Sequence, residues 1–197
     1  MQAGVIAVQG DVAEHAAAVE RAAAAHDEPA EVVEVRDSGI VPDCDVLLMP
    51  GGESTTISRL IRREGIDAEI RDHVASGKPV LATCAGLIVC SRDAKDDRVD
   101  PLGLVDVSVD RNAFGRQKDS FEAQIPVDGL DDPFHAVFIR APLIDAVGDG
   151  VETLATVDGR PVAVRDGPVV ATAFHPELTD DSRIHDLAFF PEREVVA

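Results

Sequence analysis

Lys78-Pro79-Val80-Leu81-Ala82-Thr83-Cys84-Ala85-Gly86-Leu87-Ile88-Val89 reads as a buried strand that ends on a cysteine and turns at once into a helix. The aliphatic and β-branched run after the Gly-Lys-Pro entry suits an interior strand. Ala85 and Gly86 carry too little side chain to obstruct a sharp strand-to-helix turn, the geometry that presents a nucleophile. Cys84 would then stand at a helix N-terminus, where the helix dipole and free amides favour a reactive thiolate. For an isolated cysteine, a small buried core residue is the simpler reading. A second stretch far downstream changes the balance: Val169-Val170-Ala171-Thr172-Ala173-Phe174-His175-Pro176-Glu177 is another buried strand, ending in a histidine with a carboxylate two residues on.

Cys84, His175 and Glu177 supply the three roles of an acyl-transfer triad: nucleophile, base and orienting carboxylate. Pro176 locks the backbone between the histidine and the glutamate, and so presets how the carboxylate meets the ring. A tetrahedral oxyanion needs donors, and the Ala85 amide and the Gly51-Gly52 turn are placed to provide them. Gly51-Gly52 lacks a following Gly-Lys-Ser/Thr, so it is not a phosphate-binding loop. Glu53-Ser54-Thr55 opens a helix; Ser54 reads either as a plain N-cap or as part of a loop that holds a substrate amide and α-ammonium.

Outward from these stretches, apolar runs alternate with helical patterns: strand 3 to 8, helix 11 to 26, strands 31 to 36 and 45 to 49, helices 55 to 63 and 67 to 75, strand 79 to 83, helix 85 to 91. Consecutive apolar residues in the strands are those of parallel strands covered on both faces. The second half reads as strands near 105 to 110, 121 to 127, 136 to 140, 152 to 157, 161 to 165 and 168 to 174, then a helix from Ser182 to Phe190. Asp158-Gly159 and Asp166-Gly167 fit tight hairpins. The expectation is one α/β domain over residues 1 to 197, three layers α/β/α around a mostly parallel, flavodoxin-like sheet. Ligands bind beyond the carboxyl ends of such strands, and Gln9-Gly10, Pro50 to Ser54, Cys84 and His175 all fall there.

The same residues carry a family resemblance. Cys-Ala-Gly after a Gly-Lys-Pro strand, with Phe174-His175-Pro176-Glu177, resembles the class I glutamine amidotransferases. Gly4 to His15, Leu48 to Thr56, Arg111-Asn112-Ala113-Phe114-Gly115-Arg116-Gln117, Phe138 to Pro142 and Phe174 to Leu178 resemble, more closely, the glutaminase subunits of pyridoxal 5'-phosphate synthase. The resemblance implies that Cys84 attacks the side-chain amide of L-glutamine, and that ammonia passes to a separate synthase subunit. It implies Gly52, Glu53, Ser54, Arg111, Ile139 and Arg140 as glutamine-binding residues, and Gln9 and Gly10 as the turn that responds to the partner. It implies no metal and no cofactor, pyridoxal phosphate being a pathway product. A surface ion pair accounts for Arg116. An alternative is a glutaminase serving another synthase, such as that of the histidine imidazole ring; the Arg111 to Gln117 string argues against it. A non-catalytic glutamine-binding regulatory subunit would keep the triad positions for structure alone.

Composition sets outer bounds. At 197 residues the chain can bury a full core, and no apolar run approaches the ~20 residues of a spanning helix. Without a basic leader segment, the N-terminus reads as a first strand, and a cytoplasmic protein is expected. Cys44, Cys84 and Cys90 form neither a disulfide set nor a metal pair, and packing accounts for Cys44 and Cys90. The net charge of -19 argues against nucleic acid as a partner, because phosphate contacts need clustered Lys and Arg. Lysine occurs only at Lys78, Lys95 and Lys118, while aspartate is abundant, the bias of salt-loving cytoplasms. Self-repulsion at such a charge opposes compactness in dilute buffer and is screened at about 1 M salt, where the Debye length is about 3 Å. The melting temperature is therefore expected to rise between dilute and molar potassium chloride; a melting curve that does not move with salt would refute a halophilic adaptation.

Overall fold

A computed structural model describes residues 1–111 and 120–190. The apolar runs form β1 (Gln2–Ile6), β3 (Val46–Met49), β4 (Val80–Thr83) and β12 (Val169–Thr172). β3, β4 and β12 are buried at every position, as strands covered on both faces must be. With β2 (Glu31–Val35), β10 (Glu152–Val157) and β11 (Arg160–Asp166), they make a seven-stranded sheet of order β10-β11-β12-β4-β3-β1-β2 among the described residues. From β12 to β2 all neighbours run parallel, whereas β10 and β11 add an antiparallel edge.

Crossover helices cover both faces. α1 (Val12–Ala25) links β1 to β2, and α2 (Ser54–Arg63) with α3 (Ile66–Ala75) links β3 to β4. These connections leave the β1/β3 boundary in opposite directions along the sheet, so right-handed crossovers put them on opposite faces. Ala18, Ala22 and Ala23 of α1 are buried, and their small side chains let the helix lie close on the sheet. α5 (Arg183–Phe189) packs beside α1 and against β4.

The sequence reading located these elements to within a few residues, and the structure corrects it in three places. β5 (Ser91–Asp93) and β9 (Leu143–Val147) were not expected; they flank β6 (Val105–Asp110) in a small separate sheet. Ser91-Arg92-Asp93 contains no apolar residue, so pairing with β6 alone makes it a strand. The run read as 136 to 140 is β8 (Phe134–Phe138), paired with β7 (Phe121–Ile125). Its ends are set by Phe134 and Phe138, whose rings both pack on Phe174, at 5.8 and 5.5 Å between centroids. Ile139 and Arg140 therefore lie in the bend after the strand, with Arg140 at φ 45. Third, the last parallel strand ends at Thr172, so His175 stands three residues beyond it. The Asp158-Gly159 turn has φ 50 and 75, the two positive values of a tight hairpin joining β10 to β11. Asn112 to Gln117, including Arg116, fall outside the described residues.

No helix among the described residues is long and apolar enough to cross a membrane. The short helix α4 (Ala85–Cys90) follows β4 directly and packs on it. A Cβ on Gly86 would lie 2.1 Å from the Met49 carbonyl oxygen, so only glycine lets α4 sit this close to β3. Gly86→Ala is accordingly expected to destabilise the chain by about 2 kcal/mol, read by chemical denaturation in molar salt; native stability in that variant would contradict the packing.

Candidate active site

Four strand ends build one cavity. β1 leads to Gln9 and Asp11, β3 to Gly52, Glu53 and Ser54, β4 to Cys84, and β12 to His175. With Ala85, Ile88, Arg111, Ile139 and Arg140 they line a cavity of about 520 Å³. Each residue that the sequence singled out for nucleophile, base, substrate or oxyanion lines it, apart from Glu177, which lies behind His175. Gly10 backs the same wall, since a Cβ there would lie 2.1 Å from the Gly51 carbonyl oxygen.

Cys84 is the N-cap of α4 and has φ 50 and ψ -104. This is a region that non-glycine residues rarely enter, and it costs on the order of 1–3 kcal/mol. The residue is held there by its neighbours: its amide donates to Thr172 O on β12 at 2.8 Å, and its carbonyl accepts from Ile88 N at 3.3 Å. The Ala85 amide lies in the first turn of α4, where amides have no intrahelical acceptor. Gly51 faces the histidine so closely that a Cβ would lie 2.6 Å from His175 Cε1.

His175 is positioned by three contacts. Its amide donates to Val137 O on β8 at 2.9 Å, Pro176 begins a short 3-10 helix Pro176–Leu178, and its Nδ1 donates to Glu177 Oε1 at 2.7 Å. His175 shares the cavity with Cys84. Burial works against a charged imidazole, but the hydrogen bonds to Cys84 and Glu177 outweigh it and raise the His175 pKa to about 10. Burial likewise disfavours the Glu177 anion, yet His15 and His175 hold its carboxyl well below the usual range. Both shifts favour the imidazolium–carboxylate form of the pair. Burial pushes the Cys90 thiol up to about 12 and Cys44 up to about 11, so neither offers a thiolate there. All three cysteines are free.

The Glu53 side chain, and not Ser54, caps α2. It accepts from Thr56 N at 2.8 Å, Thr56 Oγ1 at 2.7 Å and Thr55 N at 3.3 Å, and also from Thr55 Oγ1. These bonds overcome partial burial and lower its pKa to about 2. Ser54 is the first residue of the helix and is buried. The Glu53 amide donates to Gln9 Oε1 at 2.8 Å, which ties the β1 turn to the glycine loop. Arg111 Nη2 lies 3.3 Å from Glu53 Oε1, and its Nη1 lies 3.4 Å from Asp96 Oδ2, so the guanidinium is held at the cavity wall.

Sequence reasoning did not single out Ile88, His15 or Thr83. His15 shares the buried face of α1 with Ala18, Val19 and Ala22, a helical spacing that marks it as an interior histidine. Its contact with Glu177 joins residues distant in the chain and has no local signal.

Comparison with known proteins places this architecture among the glutamine amidotransferases of the class I type. A crystal structure described as a glutamine amidotransferase has a TM-score of 0.83 and 43% identity, covering 94% of this chain and 96% of that one. The structure of PurLQS from Thermotoga maritima shares the fold, with a TM-score of 0.64 at 16% identity over 93% of this chain and 91% of that one. The chain belongs to the SNO glutamine amidotransferase family, whose model matches residues 5–195. A protein of Halorubrum lacusprofundi named pyridoxal 5'-phosphate synthase subunit PdxT is 92% identical over the whole of both chains. One of the same name from Haloarcula marismortui is 73% identical over 98% of each.

The raised His175 pKa has a stability consequence. A group whose folded pKa exceeds its unfolded value, about 6.5 here, contributes fully below that value and loses its contribution as pH rises through about 10. Native chain and His175→Gln should therefore differ most in unfolding free energy near pH 6 and converge toward pH 10, with a slope approaching about 1.4 kcal/mol per pH unit. A difference that stays constant over this range would show that the imidazole is neutral in the fold.

Proposed function

We propose that this chain is the glutamine-hydrolysing subunit of a pyridoxal 5'-phosphate synthase, with Cys84, His175 and Glu177 as its catalytic set. The observation that carries the reading is the cavity itself: a strained cysteine and a histidine paired to a buried carboxylate share it with the Gly52 loop and Arg111. The family and the PdxT relatives support the substrate and the pathway.

The Cys84 sulfur attacks the side-chain amide carbon of L-glutamine. The Gly52 and Ala85 amides receive the oxyanion, in a site where preorganised donors act with little competition from water. As the tetrahedral intermediate collapses, His175 gives a proton to the leaving nitrogen, the C–N bond breaks, and ammonia departs from a γ-glutamyl thioester. His175, now neutral, takes a proton from water as it attacks the thioester; glutamate leaves and the sulfur is restored. Glu177 holds the ring by Nδ1 and stabilises the imidazolium in both half-reactions. Arg111 suits the substrate carboxylate, as a fork donor does, and Glu53, Ser54, Ile139 and Arg140 complete the substrate wall.

Ammonia is the product the partner uses, which implies a hetero-oligomer with a synthase subunit. Gln9 and Gly10 form the turn through which docking would reach the glycine loop, because Gln9 Oε1 accepts from the Glu53 amide. Three free thiols fit a reducing cytoplasm. The test is ammonia release from glutamine in molar salt, with the synthase present. Cys84→Ala should abolish turnover and keep glutamine binding, whereas Arg111→Ala should raise KM by about tenfold or more, the loss of one charge-assisted contact. Native turnover in Cys84→Ala would overturn the mechanism.

A further inference from the structure

Behind the triad lies a buried polar cluster that the mechanism above does not use. His15 of α1 is fully buried, and its Nε2 is 3.1 Å from Thr83 Oγ1 and 3.4 Å from Glu177 Oε1. The same carboxylate oxygen, Oε1, lies 2.7 Å from His175 Nδ1. Two imidazoles from different elements thus bracket one oxygen. Thr83 is the last residue of β4, immediately before the nucleophile. We propose that His15 is a positioning residue of the glutaminase site, which fixes the Glu177 carboxylate through the oxygen that His175 also holds and ties it to the strand that leads into Cys84.

The hydrogen-bond chemistry supports this. Were Nε2 of His15 the unprotonated nitrogen, its lone pair would face a carboxylate oxygen; with the proton on Nε2, the ring donates toward Glu177 and Thr83 together. His15 Nδ1 and Glu177 Oε2 have no hydrogen-bonding partner among the described residues, so these Nε2 contacts are the polar anchors of the ring there. The other titratable groups around Glu177 do not replace it. His185 of α5 has its ring centroid 6.5 Å from that of His15, and burial, then His15 itself, push its pKa down to about 3, so it is neutral. Arg21 of α1 donates to Thr179 O at 2.9 Å. Asp11, which lines the cavity, brings a carboxylate oxygen to within 4.8 Å of the donor atoms of His175 and Glu177, and adds like charge. Of the groups packed against Glu177, His15 and His175 lower its pKa, and His15 contributes the larger part.

The experiment contrasts two near-isosteric variants in the complex with the synthase. Asparagine places its amide near the Nδ1 position and cannot reach Glu177; glutamine extends to the Nε2 position and can donate there. His15→Asn is expected to lower kcat about tenfold to a hundredfold while KM for glutamine stays within about twofold, and to move the acid limb of the kcat profile up by about one pH unit, because Glu177 is then protonated more readily. His15→Gln should restore the limb and most of kcat. The idea fails if the two variants behave alike, or if His15→Asn changes only KM or melting temperature and leaves the limb in place. Should His15→Asn not fold, Thr83→Val removes the other anchor at similar volume and must shift the limb the same way; an unmoved limb overturns the proposal. The inference rests on the catalytic reading of Cys84, His175 and Glu177. Cys84→Ala run alongside separates the failures, since turnover there refutes that reading, whereas a silent Cys84→Ala with indistinguishable His15 variants refutes only this one.

Discussion

The backbone of Cys84 is the constraint on which the rest depends. A side chain at φ 50 and ψ -104 stays there only if the surroundings leave no better place. Here β12 accepts the Cys84 amide and α4 begins at once behind it. Close packing finishes the work: Gly86 lies against the Met49 carbonyl and Gly51 against the His175 ring. Because β4 is central, with β12 on one side and β3 on the other, the elbow meets His175 from one neighbour and the glycine loop from the other. The strain that aims the sulfur into the cavity is thus balanced by the most deeply buried part of the sheet.

Electrostatics divides along the same boundary. The His175–Glu177 pair has at most a twentieth of either side chain exposed, so salt screens it little. At the surface, pairs such as Lys95–Asp145 and Arg36–Glu34 are largely exposed and individually contribute little. Their collective problem is the net charge of -19. Salt is therefore expected to govern whether the chain stays compact, and to have less effect on the charges at the site once it is folded.

Much of this could be read from residue order, for a physical reason. Buried parallel strands are apolar on consecutive residues, and helix entries after glycine loops are local events, so β1, β3, β4 and the helices between them stood out. Cys84 and His175 were legible because each follows such a strand within a few residues, and sheet architecture gathers strand ends at one edge. β5 was not legible, since Ser91-Arg92-Asp93 has no strand pattern of its own and exists by pairing with β6. The cap of α2 was not settled by the sequence, where Ser54 stood either as a plain N-cap or as part of a substrate loop; the backbone conformation gives the cap to Glu53. Ile139 and Arg140 were placed in a strand, although three aromatic rings, Phe134, Phe138 and Phe174, end it two residues earlier, at Phe138.

The sequence by itself determined which chemical groups this protein has and on which elements they sit: a cysteine before a helix, a histidine and a glutamate locked by one proline, glycines where side chains would collide. These are short-range matters of chain stiffness, hydropathy and local sterics. Only the tertiary structure decided protonation and hold: that contact with Cys84 and Glu177 raises the His175 pKa against its burial, that Glu53 spends its carboxylate on capping, and that His15, far away in the chain, reaches the same oxygen as His175. Those depend on burial and on distances between elements that meet through packing, which no local pattern encodes.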